Sequence, residues 1–294
     1  NRKNKIMKGI ILAGGKGTRL EPLTSVFNKH LLPVYDKPMI YYPLSVLMLS
    51  GIRDVLIIVN KNDLIFYEKL LGDGSDFGIN ITFEIQKKAE GIAQSFIIGK
   101  KFIGTDSVCL ILGDNIFFGF KFSDLLNDAV KLKKGAIVFT NFVKKPTDFA
   151  IAEFDNDGKI ISLEEKPKSP KSNHAVTGLY FYDNDVVNIS QNLKPSARGE
   201  LEITDVNKIY LNNNLIKAID LGRGFAWLDT GSHESLLDAG DFVRTIEDRQ
   251  GLKIACLEEI AFNFGWIDER ILIKRIEKLK NSPYSLYLKL LLNK

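Results

Sequence analysis

The sequence contains few of the residues that usually carry redox, nucleophilic or metal chemistry. Its 294 residues include two cysteines and three histidines. Cys109 and Cys256 lie far apart, lack the spacing of metal ligands, and Cys109 falls inside the apolar run VCLIL. We therefore expect buried free thiols. The sequence indicates neither a disulfide framework nor a structural zinc site, and nothing in it requires an oxidising compartment.

Long apolar runs and a strong charge imbalance are also missing. No apolar run approaches the ~20 residues that a membrane-spanning helix needs. The N-terminal NRKNKIM is polar, so we expect no signal peptide and exclude the residues before Met7 from the fold prediction. The formal charge of +4 is too small to indicate a nucleic-acid or membrane partner, and basic side chains around an anionic metabolite explain it equally well. These absences predict a cytoplasmic protein.

The first half of the chain alternates short β-branched runs with helical patterns. The predicted strands are KGIILAG, RDVLIIVN, NITFEIQ and SVCLILGDN, and the predicted helices are IYYPLSVLMLSG, DLIFYEKLLG and AQSFIIGKKFI. Continuous apolar strands joined by helices predict a parallel sheet that is covered on both faces. Ligands bind such sheets beyond the carboxyl ends of the strands. The glycine loop after Ala13 and the GDN after Leu112 both lie there.

The pattern changes near Gly135 and again near His233. The runs GAIVFTNF, FAIAEFD, GKIISLEEKP and AVTGLYFYD predict antiparallel strands separated by turns. The chain then becomes mostly helical, with a lysine-rich amphipathic helix from about Asp268. We expect this helix to pack with one solvated face rather than to bind a membrane surface. No linker is long enough to separate domains, so we predict a single domain, residues 1–294, in three parts: about 8–134, 135–232 and 233–294.

The glycine loop AGGKGTR fits neither of two familiar phosphate-binding motifs. A P-loop needs Ser or Thr after its lysine, but Gly17 follows Lys16. A dinucleotide fingerprint needs a third glycine where this chain has Leu20. What remains is a loop whose backbone N–H groups can converge on an anion, with the forked donor Arg19 beside it. The alternative is a tight strand-to-helix turn with a solvated arginine.

Several motifs in order carry a resemblance to a known family. The segments LAGGKGTRLEPLT, NKHLLPVYDKPMIYYPLSVLM, LGDN, LEEKP, GLYFYD, RGELEITDVN and WLDTG resemble the sugar-nucleotidyltransferases, most closely the bacterial glucose-1-phosphate thymidylyltransferases. The resemblance runs from about Lys8 to Gln250 and continues more loosely to the C-terminus. It implies a three-layer Rossmann-like α/β core with a mixed, mainly parallel sheet, a β-rich sugar-binding insertion and a helical C-terminal part.

The same resemblance implies a reaction and its requirements. The substrates are dTTP and glucose 1-phosphate, and the products are dTDP-glucose and pyrophosphate, formed by Mg²⁺-assisted in-line attack on the α-phosphorus. Such chemistry needs cations, a divalent metal and a rigid backbone cradle rather than a catalytic histidine or cysteine. The resemblance also implies a homo-oligomer, most simply a tetramer, because relatives are homotetramers with a second, regulatory nucleotide site. Deoxysugar or rhamnose synthesis for a cell-surface polysaccharide is the implied pathway.

Five charged residues match the family's catalytic and metal positions. Asp114 and Asp229 match its magnesium pair, although either aspartate alone is also typical of a turn. Arg19 matches the loop arginine that neutralises the triphosphate, and Lys29 matches a lysine that grips phosphate near the reacting centre. Lys166 matches the lysine that binds the phosphate of the sugar, although a charged EEK cluster is otherwise typical of a solvated strand end.

The resemblance also assigns positions that bind the nucleotide and the sugar. Gln86 and Gly91 match the positions that recognise the pyrimidine. A glutamine amide complements the O4/N3–H edge that thymine and uracil share, so it cannot separate dTTP from UTP. The other nucleotide positions are Leu12, Gly14, Gly15, Gly17, Thr18 and Arg19. The sugar-phosphate positions are Asn115, Ala150, Glu165, Lys166, Val176 and Trp227, of which Trp227 could equally be a core aromatic.

Some positions depart from the family pattern or carry no chemistry. His30 replaces the usual glutamine and brings pH sensitivity near neutrality if it lies close to phosphate. Phe149 and Ala150 replace the usual Tyr-Gly, which puts the identity of the sugar in question. We expect four charged residues of SARGELEITD to form a structural network beside the sugar pocket; they are Arg198, Glu200, Glu202 and Asp205.

Rival functions remain open from the sequence. One is the same chemistry with UTP or another hexose 1-phosphate. Another is a catalytically silent sensor of sugar nucleotides, against which the presence of Arg19, Asp114, Lys166 and Asp229 argues. An NAD-dependent dehydrogenase is disfavoured because the third glycine of its fingerprint is missing.

Overall fold

The computed structural model describes residues 7–293, so the polar residues 1–6 lie outside the described part of the chain. The strands are β1 (Met7–Leu12), β2 (Pro33–Val34), β3 (Lys37–Pro38), β4 (Asp54–Val59), β5 (Asn80–Ile85), β6 (Ser107–Leu112), β7 (Asn115–Phe118), β8 (Ala136–Phe142), β9 (Ala150–Phe154), β10 (Ile160–Glu165), β11 (His174–Tyr182), β12 (Ile216–Asp220) and β13 (Ala226–Asp229). The helices are α1 (Tyr41–Leu49), α2 (Leu64–Leu71), α3 (Gln94–Ile98), α4 (Lys100–Ile103), α5 (Phe122–Ala129), α6 (Asp185–Gln191), α7 (Ile203–Asn212), α8 (His233–Gln250), α9 (Leu257–Asn263), α10 (Glu269–Lys278) and α11 (Pro283–Leu291).

Within these residues a nine-stranded mixed sheet forms the centre of the molecule. Its main path runs β10-β9-β11-β6-β1-β4-β5, and β8 joins β11 to β12. Strands β6, β1, β4 and β5 are parallel, as the first half of the sequence predicts. Strand β11 is antiparallel to β6, β8 and β9, so it joins the parallel half to the predicted antiparallel excursion. The α/β class and the mixed sheet are therefore confirmed.

Both faces of the sheet are covered, which gives three layers. Neighbouring residues of a strand point to opposite faces, and the fully buried Ile10 and Ile11 of β1 belong to two different apolar cores. Helices α1 and α9 pack together on one side, while α3, α6 and α7 contribute to the other. A strand buried on both faces reads as a continuous apolar run, which is why β1, β4 and β6 carry almost no polar residue.

One predicted helix is divided in the structure. The segment AQSFIIGKKFI forms α3 and α4, which meet at Gly99. A Cβ atom at Gly99 would lie 2.8 Å from Ile10 Cδ1 and 3.2 Å from Leu56 Cδ2. The glycine thus allows the helical backbone to lie close against β1 and β4. This close packing outweighs the helix propensity of the segment, and the helix is interrupted at Gly99.

The C-terminal part packs against the core, as the sequence predicts. Ser232 and Ser235 form a capping box at the start of α8, and Ala239 and Val243 on its inner face are buried. In α10, Arg275 is buried and donates to the fully buried Glu258, so the basic helix is a packed one. Among residues 7–293 no helix combines the length and apolar character needed to cross a membrane.

Both cysteines are buried and free in the described part of the chain, as expected. Burial raises the pKa of the Cys109 thiol well above its usual range. It also raises the pKa of Cys256, with a further contribution from the nearby charge of Glu258. Neither thiol is therefore a nucleophile at neutral pH.

Candidate functional site

The parallel register brings the two predicted ligand-binding segments to one edge of the sheet. Leu12, the last residue of β1, is paired with Leu112, the last residue of β6. The backbone N–H of Gly113 donates to the carbonyl oxygen of Leu12 at 3.0 Å. The glycine loop and the GDN turn therefore leave the sheet side by side, at the edge where open α/β sheets bind ligands.

Close packing fixes the shape of the glycine loop. Gly17 has a φ of 66°, a left-handed conformation that glycine adopts without strain, and its carbonyl oxygen accepts from Thr24 Oγ1 at 2.9 Å. A Cβ atom at Gly14 would lie 2.1 Å from Gln86 Oε1. Gly14 therefore has no room for a side chain, and the predicted pyrimidine-reading residue lies directly beneath the loop. Gly15 is the least crowded of the three, with only the Lys29 side chain within 4 Å of such an atom.

A pair of antiparallel strands brings the two aspartates together. In the pairing of β7 with β13, Asn115 lies opposite Asp229. The backbone N–H and hydroxyl of Thr230 donate to the carbonyl oxygen of Asp114, at 3.2 Å and 2.9 Å. The sequence separates the two carboxylates by more than a hundred residues, and this local sheet makes them neighbours.

The two carboxylates have opposite electrostatic surroundings. Burial alone would raise the pKa of Asp114, but the ion pair with Lys29 and the proximity of His30 outweigh it and lower that pKa to about 2. Burial and the charge of Asp114 raise the pKa of Asp229, despite Lys29 and Arg19 nearby. Asp229 Oδ1 is buried and has no hydrogen-bond partner among residues 7–293.

These donors suit a divalent cation such as Mg²⁺. A buried carboxylate oxygen without a donor is costly unless something positively charged faces it. In the described part of the chain no group of three or more His, Cys, Asp or Glu side chains is arranged to hold a metal. A cation at Asp114 and Asp229 would thus take most of its ligands from water and phosphate oxygens, as Mg²⁺ commonly does.

Arg19 lies on the Asp229 side of the glycine loop. A Cβ atom at Gly231 would lie 2.6 Å from Arg19 Nη2 and 3.0 Å from Asp229 Oδ1. The guanidinium is therefore packed against the Gly231 backbone beside the carboxylate. The Arg19 side chain is exposed toward a cleft of about 590 Å³. We call it the Trp227 cleft because Phe149, Lys166 and Trp227 also line it.

The predicted sugar positions are organised around Asn115 and Trp227. Asn115 Oδ1 accepts from Trp227 Nε1 at 2.7 Å and from the Gly178 backbone N–H at 3.1 Å. The Trp227 ring packs on Phe149, with ring centroids 5.2 Å apart. Trp227 is half-buried: it lines the cleft and also packs against the edge of one apolar core. Val176, by contrast, is buried in the apolar core and does not line the Trp227 cleft.

Glu165 and Lys166 sit at the end of β10. Glu165 is paired with Ala150 across β9, and the Lys166 backbone N–H donates to the Phe149 carbonyl oxygen at 3.1 Å. Lys166 has a φ of 43°, which is uncommon for a residue with a side chain, and its ammonium is exposed to the cleft. Residues in sparsely populated conformations persist where the surroundings impose them, often at functional sites.

The predicted structural network around Arg198 is present in part. Arg198 Nη2 donates to both Glu202 carboxylate oxygens and to Glu165 Oε1 at 3.2 Å. Thr204 Oγ1 donates to Glu165 Oε2 at 2.6 Å. Asp205 instead pairs with Lys208. The network therefore holds the Glu165 carboxylate, which the sequence assigned to sugar hydroxyls.

A second cleft opens on the other side of the glycine loop. It has a volume of about 900 Å³ and is lined by Lys16, Thr18, Lys61 and Gln86, so we call it the Gln86 cleft. Thr18 and Arg19 are adjacent in sequence, yet Thr18 lines this cleft and Arg19 lines the Trp227 cleft. The glycine loop is thus the wall between two clefts.

Gly91 is required by its backbone neighbours. It has a φ of 106°, and a Cβ atom there would lie 2.4 Å from the Leu201 carbonyl oxygen. The Leu201 N–H in turn donates to the Glu90 carbonyl oxygen at 2.7 Å. The segment that follows Gln86 is therefore packed on the segment that carries Arg198.

The surroundings of His30 differ from the expectation. His30 is buried, and its Nδ1 lies 2.7 Å from Asn28 Oδ1, which also accepts from the Tyr67 hydroxyl. Burial, and then the charge of Lys29, lower the pKa of His30 to about 3. The expected pH sensitivity near neutrality is therefore wrong for this residue, because the imidazole stays neutral throughout that range.

Two residues of the site were missed in the sequence. Asn28 holds His30 and, through its Nδ2, Asp63; Gln94 accepts a hydrogen bond from Gln86. Both contacts join side chains from different elements, and a single polar residue beside an apolar run carries no signal of such a partner. Asn28 could have been suspected only because it precedes Lys29.

Comparison with known proteins gives consistent matches. The sequence model of the nucleotidyl transferase family matches residues 8–246. A glucose-1-phosphate thymidylyltransferase of Neisseria meningitidis serogroup A is 56% identical over 98% of this chain and 100% of its own length. That of Mycolicibacterium smegmatis is 55% identical with the same coverage.

Two solved structures are similar in fold. A Bacillus anthracis protein, assigned as a glucose-1-phosphate thymidylyltransferase and solved with sucrose, superposes with a TM-score of 0.76 and 45% identity, covering 81% of this chain and 95% of that one. A UDP-glucose pyrophosphorylase in complex with UDP-glucose superposes with a TM-score of 0.71 and 25% identity, covering 82% of this chain and 99% of that one.

Proposed function

The chain belongs to the nucleotidyl transferase family, and we propose that it transfers a thymidylyl group from dTTP to glucose 1-phosphate, giving dTDP-glucose and pyrophosphate. One observation supports this proposal most directly. A single glycine loop lies between two clefts, because Thr18 lines one and Arg19 the other. The paired aspartates, Lys29 and Arg19 lie close together beside this loop. A reaction that joins a nucleotide to a sugar phosphate needs two anionic substrates held on either side of one charged centre.

The nucleotide occupies the Gln86 side in this proposal. Gln86 recognises the pyrimidine, and Gly91 lets the backbone approach it. The N–H groups of the glycine loop bind the phosphates; they come from the segment Gly14 to Thr18. Leu12 belongs to this nucleotide site because it is the last residue of β1, directly before the glycine loop. The close contact between Gly14 and Gln86 supports this assignment, because the residue proposed for the base is a direct neighbour of the loop proposed for the phosphates.

Glucose 1-phosphate occupies the Trp227 side. The Lys166 ammonium binds its phosphate, and Glu165, fixed by Arg198 and Thr204, accepts hydrogen bonds from sugar hydroxyls. Asn115 and Trp227 form the floor of the sugar site as one hydrogen-bonded unit. Ala150 contributes its backbone N–H, and Val176 supports this floor from the core.

The reaction is an in-line displacement at the α-phosphorus. A phosphate oxygen of glucose 1-phosphate forms the new P–O bond, the bond to the bridging oxygen breaks, and pyrophosphate leaves with the electron pair. Arg19 and Lys29 stabilise the charge that moves onto the leaving group. No group of the chain needs to take a proton, because the attacking oxygen is already ionised at neutral pH.

Asp114 and Asp229 hold Mg²⁺ in this proposal. When bound, a divalent cation neutralises phosphate charge and polarises the phosphoryl oxygens. The two carboxylates would hold this cation beside the glycine loop, and Lys29 would exchange its ion pair with Asp114 for contacts with substrate phosphate. The assignment is supported by Asp229 Oδ1, which is buried and has no hydrogen-bond partner in the described part of the chain.

Further parts of the proposal rest on the resemblance. We take the three parts of the chain as one catalytic unit, acting in the cytoplasm as a homo-oligomer, most simply a tetramer, and supplying deoxysugar synthesis. The packing of α9 on α1 and of α8 beside β13 is consistent with one unit.

The test is pyrophosphate release with Mg²⁺ across a panel of dTTP or UTP paired with different hexose 1-phosphates. We expect the highest kcat/KM with dTTP and glucose 1-phosphate, which would also show that Phe149 and Ala150 are tolerated. Activity only with another sugar would keep the mechanism and move specificity onto those two residues. No release with any pair would overturn the proposed function.

A further inference from the structure

A chain of side-chain hydrogen bonds fixes the orientation of Gln86. Gln86 Nε2 donates to Gln94 Oε1 at 2.7 Å. The Glu90 backbone N–H donates to the same Gln94 oxygen at 3.3 Å. Gln94 Nε2 then donates to Glu90 Oε2 at 2.9 Å. Gln94 therefore lies between Gln86 and Glu90 and contacts both.

The chemistry of Glu90 allows only one arrangement of this chain. An ionised carboxylate can only accept hydrogen bonds, and a backbone N–H can only donate. Gln94 must therefore turn its NH₂ group to the carboxylate and its oxygen to the N–H. Because that oxygen also faces Gln86, the Gln86 amide must present NH₂ to it. The orientation of the Gln86 amide thus follows from the donor and acceptor types of its neighbours.

The orientation decides what Gln86 offers to a base. Its Oε1 points toward Gly14, where a Cβ atom would lie 2.1 Å away, so the oxygen faces the glycine loop. Gln86 donates one Nε2 hydrogen to Gln94, and the other has no acceptor among residues 7–293. Gln86 therefore presents an acceptor beside a donor. Thymine and uracil match this pair with N3–H and O4, whereas cytosine has an acceptor at N3 and an amino group at C4.

From this geometry we infer that Gln94, anchored by Glu90, is the positioning residue that makes Gln86 select bases with an N3–H and reject cytosine. This inference rests on the proposed function and extends it to base selection. For Gln86 to read cytosine, its amide would have to turn over and place Oε1 against Gln94 Oε1. Gln86 is 4% exposed, so water cannot relieve that clash of two acceptors.

The test compares dTTP with dCTP as substrates in the full-length protein. Gln94→Met keeps the length of the side chain and removes its amide, which frees Gln86 to turn. We expect the ratio of kcat/KM for dTTP over dCTP to fall by roughly ten- to a hundred-fold, with KM for glucose 1-phosphate unchanged. Glu90→Gln replaces the acceptor-only anchor with an amide that can face either way, and we expect a smaller fall.

Two comparisons separate positioning from general damage to the site. Lys88→Ala removes an exposed lysine of the same segment, which pairs with Glu90 at 3.5 Å, and should leave the ratio unchanged. In a Gln86→Met background, adding Gln94→Met should change the ratio no further, because Gln94 acts through the Gln86 amide. A merely structural role would lower dTTP and dCTP turnover in proportion and so leave their ratio unchanged. It would also lower the turnover of Gln86→Met further when Gln94→Met is added.

The outcomes distinguish this inference from the proposed function. Wild-type protein that releases no pyrophosphate from dTTP and glucose 1-phosphate overturns the proposed function. Active wild-type protein with an unchanged ratio in Gln94→Met, or with additive effects in the double variant, overturns the positioning role alone. A lower ratio in Gln94→Met and Glu90→Gln, with no change in Lys88→Ala, supports it.

Discussion

Replacing Asp229 with Asn should make the protein more stable without metal while removing most of its activity. Asp229 Oδ1 is buried with no hydrogen-bond partner in the described residues, and burial together with the charge of Asp114 raises the pKa of Asp229. The folded state therefore bears a carboxylate that its surroundings disfavour. An unsatisfied buried polar group costs about 1–3 kcal/mol. Asn keeps an oxygen at this position but removes the negative charge that burial and Asp114 disfavour, so we expect a gain of about 1 kcal/mol in the free energy of unfolding, at the lower end of that range.

The loss of activity has the same structural origin. A carboxylate kept at a destabilising position is typical of a site that exchanges stability for function. We expect kcat for Asp229→Asn to fall by about a hundred-fold or more, by analogy with removal of one group that stabilises transition-state charge. Mg²⁺ at a hundred-fold excess over its Kd should stabilise the wild type by about 2.7 kcal/mol and the variant by much less.

Urea unfolding with and without Mg²⁺ measures the metal-free stability and the stabilisation by the metal. Pyrophosphate release measures kcat. Asp241→Asn is the matched control, because its side chain is 61% exposed and it should change stability by less than about 0.5 kcal/mol. If Asp229→Asn were less stable than the wild type in metal-free buffer, the argument from the buried charge would fail. Near-normal kcat in Asp229→Asn would refute the metal assignment.

Three further predictions follow from single residues. The pKa of His30 is lowered to about 3, so below the ordinary pKa of about 6.5 the unfolded chain binds a proton that the folded chain does not. Stability is thus lost as pH falls, and between pH 7 and pH 5 wild type should lose about 2 kcal/mol more than His30→Gln in urea unfolding. Lys166→Ala should raise KM for glucose 1-phosphate by roughly ten- to a hundred-fold and KM for dTTP far less, in steady-state assays. Gly91→Ala should cost about 3 kcal/mol of unfolding free energy, because its φ of 106° and the facing backbone both exclude a side chain.

Each of these has a control and an outcome that contradicts it. Equal acid sensitivity of wild type and His30→Gln would mean that the imidazole is not buried and neutral. Lys168→Ala replaces an exposed lysine nearby and should leave both KM values unchanged. If Lys166→Ala raised KM for dTTP more than KM for glucose 1-phosphate, Lys166 would belong to the nucleotide site instead. Gly104 has a φ of 60° with open space around it, so Gly104→Ala should cost only about 1–2 kcal/mol of unfolding free energy. An equal cost for Gly91→Ala would mean that the backbone facing Gly91 contributes nothing.

The elements of the fold were largely predictable because their patterns are strong. Strands β1, β4 and β6 are buried on both faces, so their residues form continuous apolar runs that locate them in the sequence. Helix α1 ends where Gly51 takes a left-handed conformation, as a glycine after an apolar helical pattern indicates. The break between α3 and α4 was not predictable, because it depends on how closely Gly99 approaches β1.

The candidate site divides in the same way. The glycine loop could be predicted to bind an anion because glycines and an arginine after a strand are a local signal, and this binding stays a prediction. The environment of His30 could not be predicted in this way. Its neighbour Asn28 is local, but Tyr67, which donates to Asn28, and Gly113, which packs against the imidazole, come from other elements. The sequence therefore suggested a titrating histidine where the folded protein has a neutral one.

What the sequence determined by itself was the order of the strands and helices, the motifs at their ends and, through resemblance, the family. What only the tertiary structure decided was which side chains meet: Asp114 with Lys29 and Asp229, Glu165 with Arg198, and Gln86 with Gln94. The physical reason is range. Periodicity and turn chemistry act over a few neighbouring residues, whereas burial, charge and hydrogen-bond direction depend on groups that come together only when the whole sheet has formed.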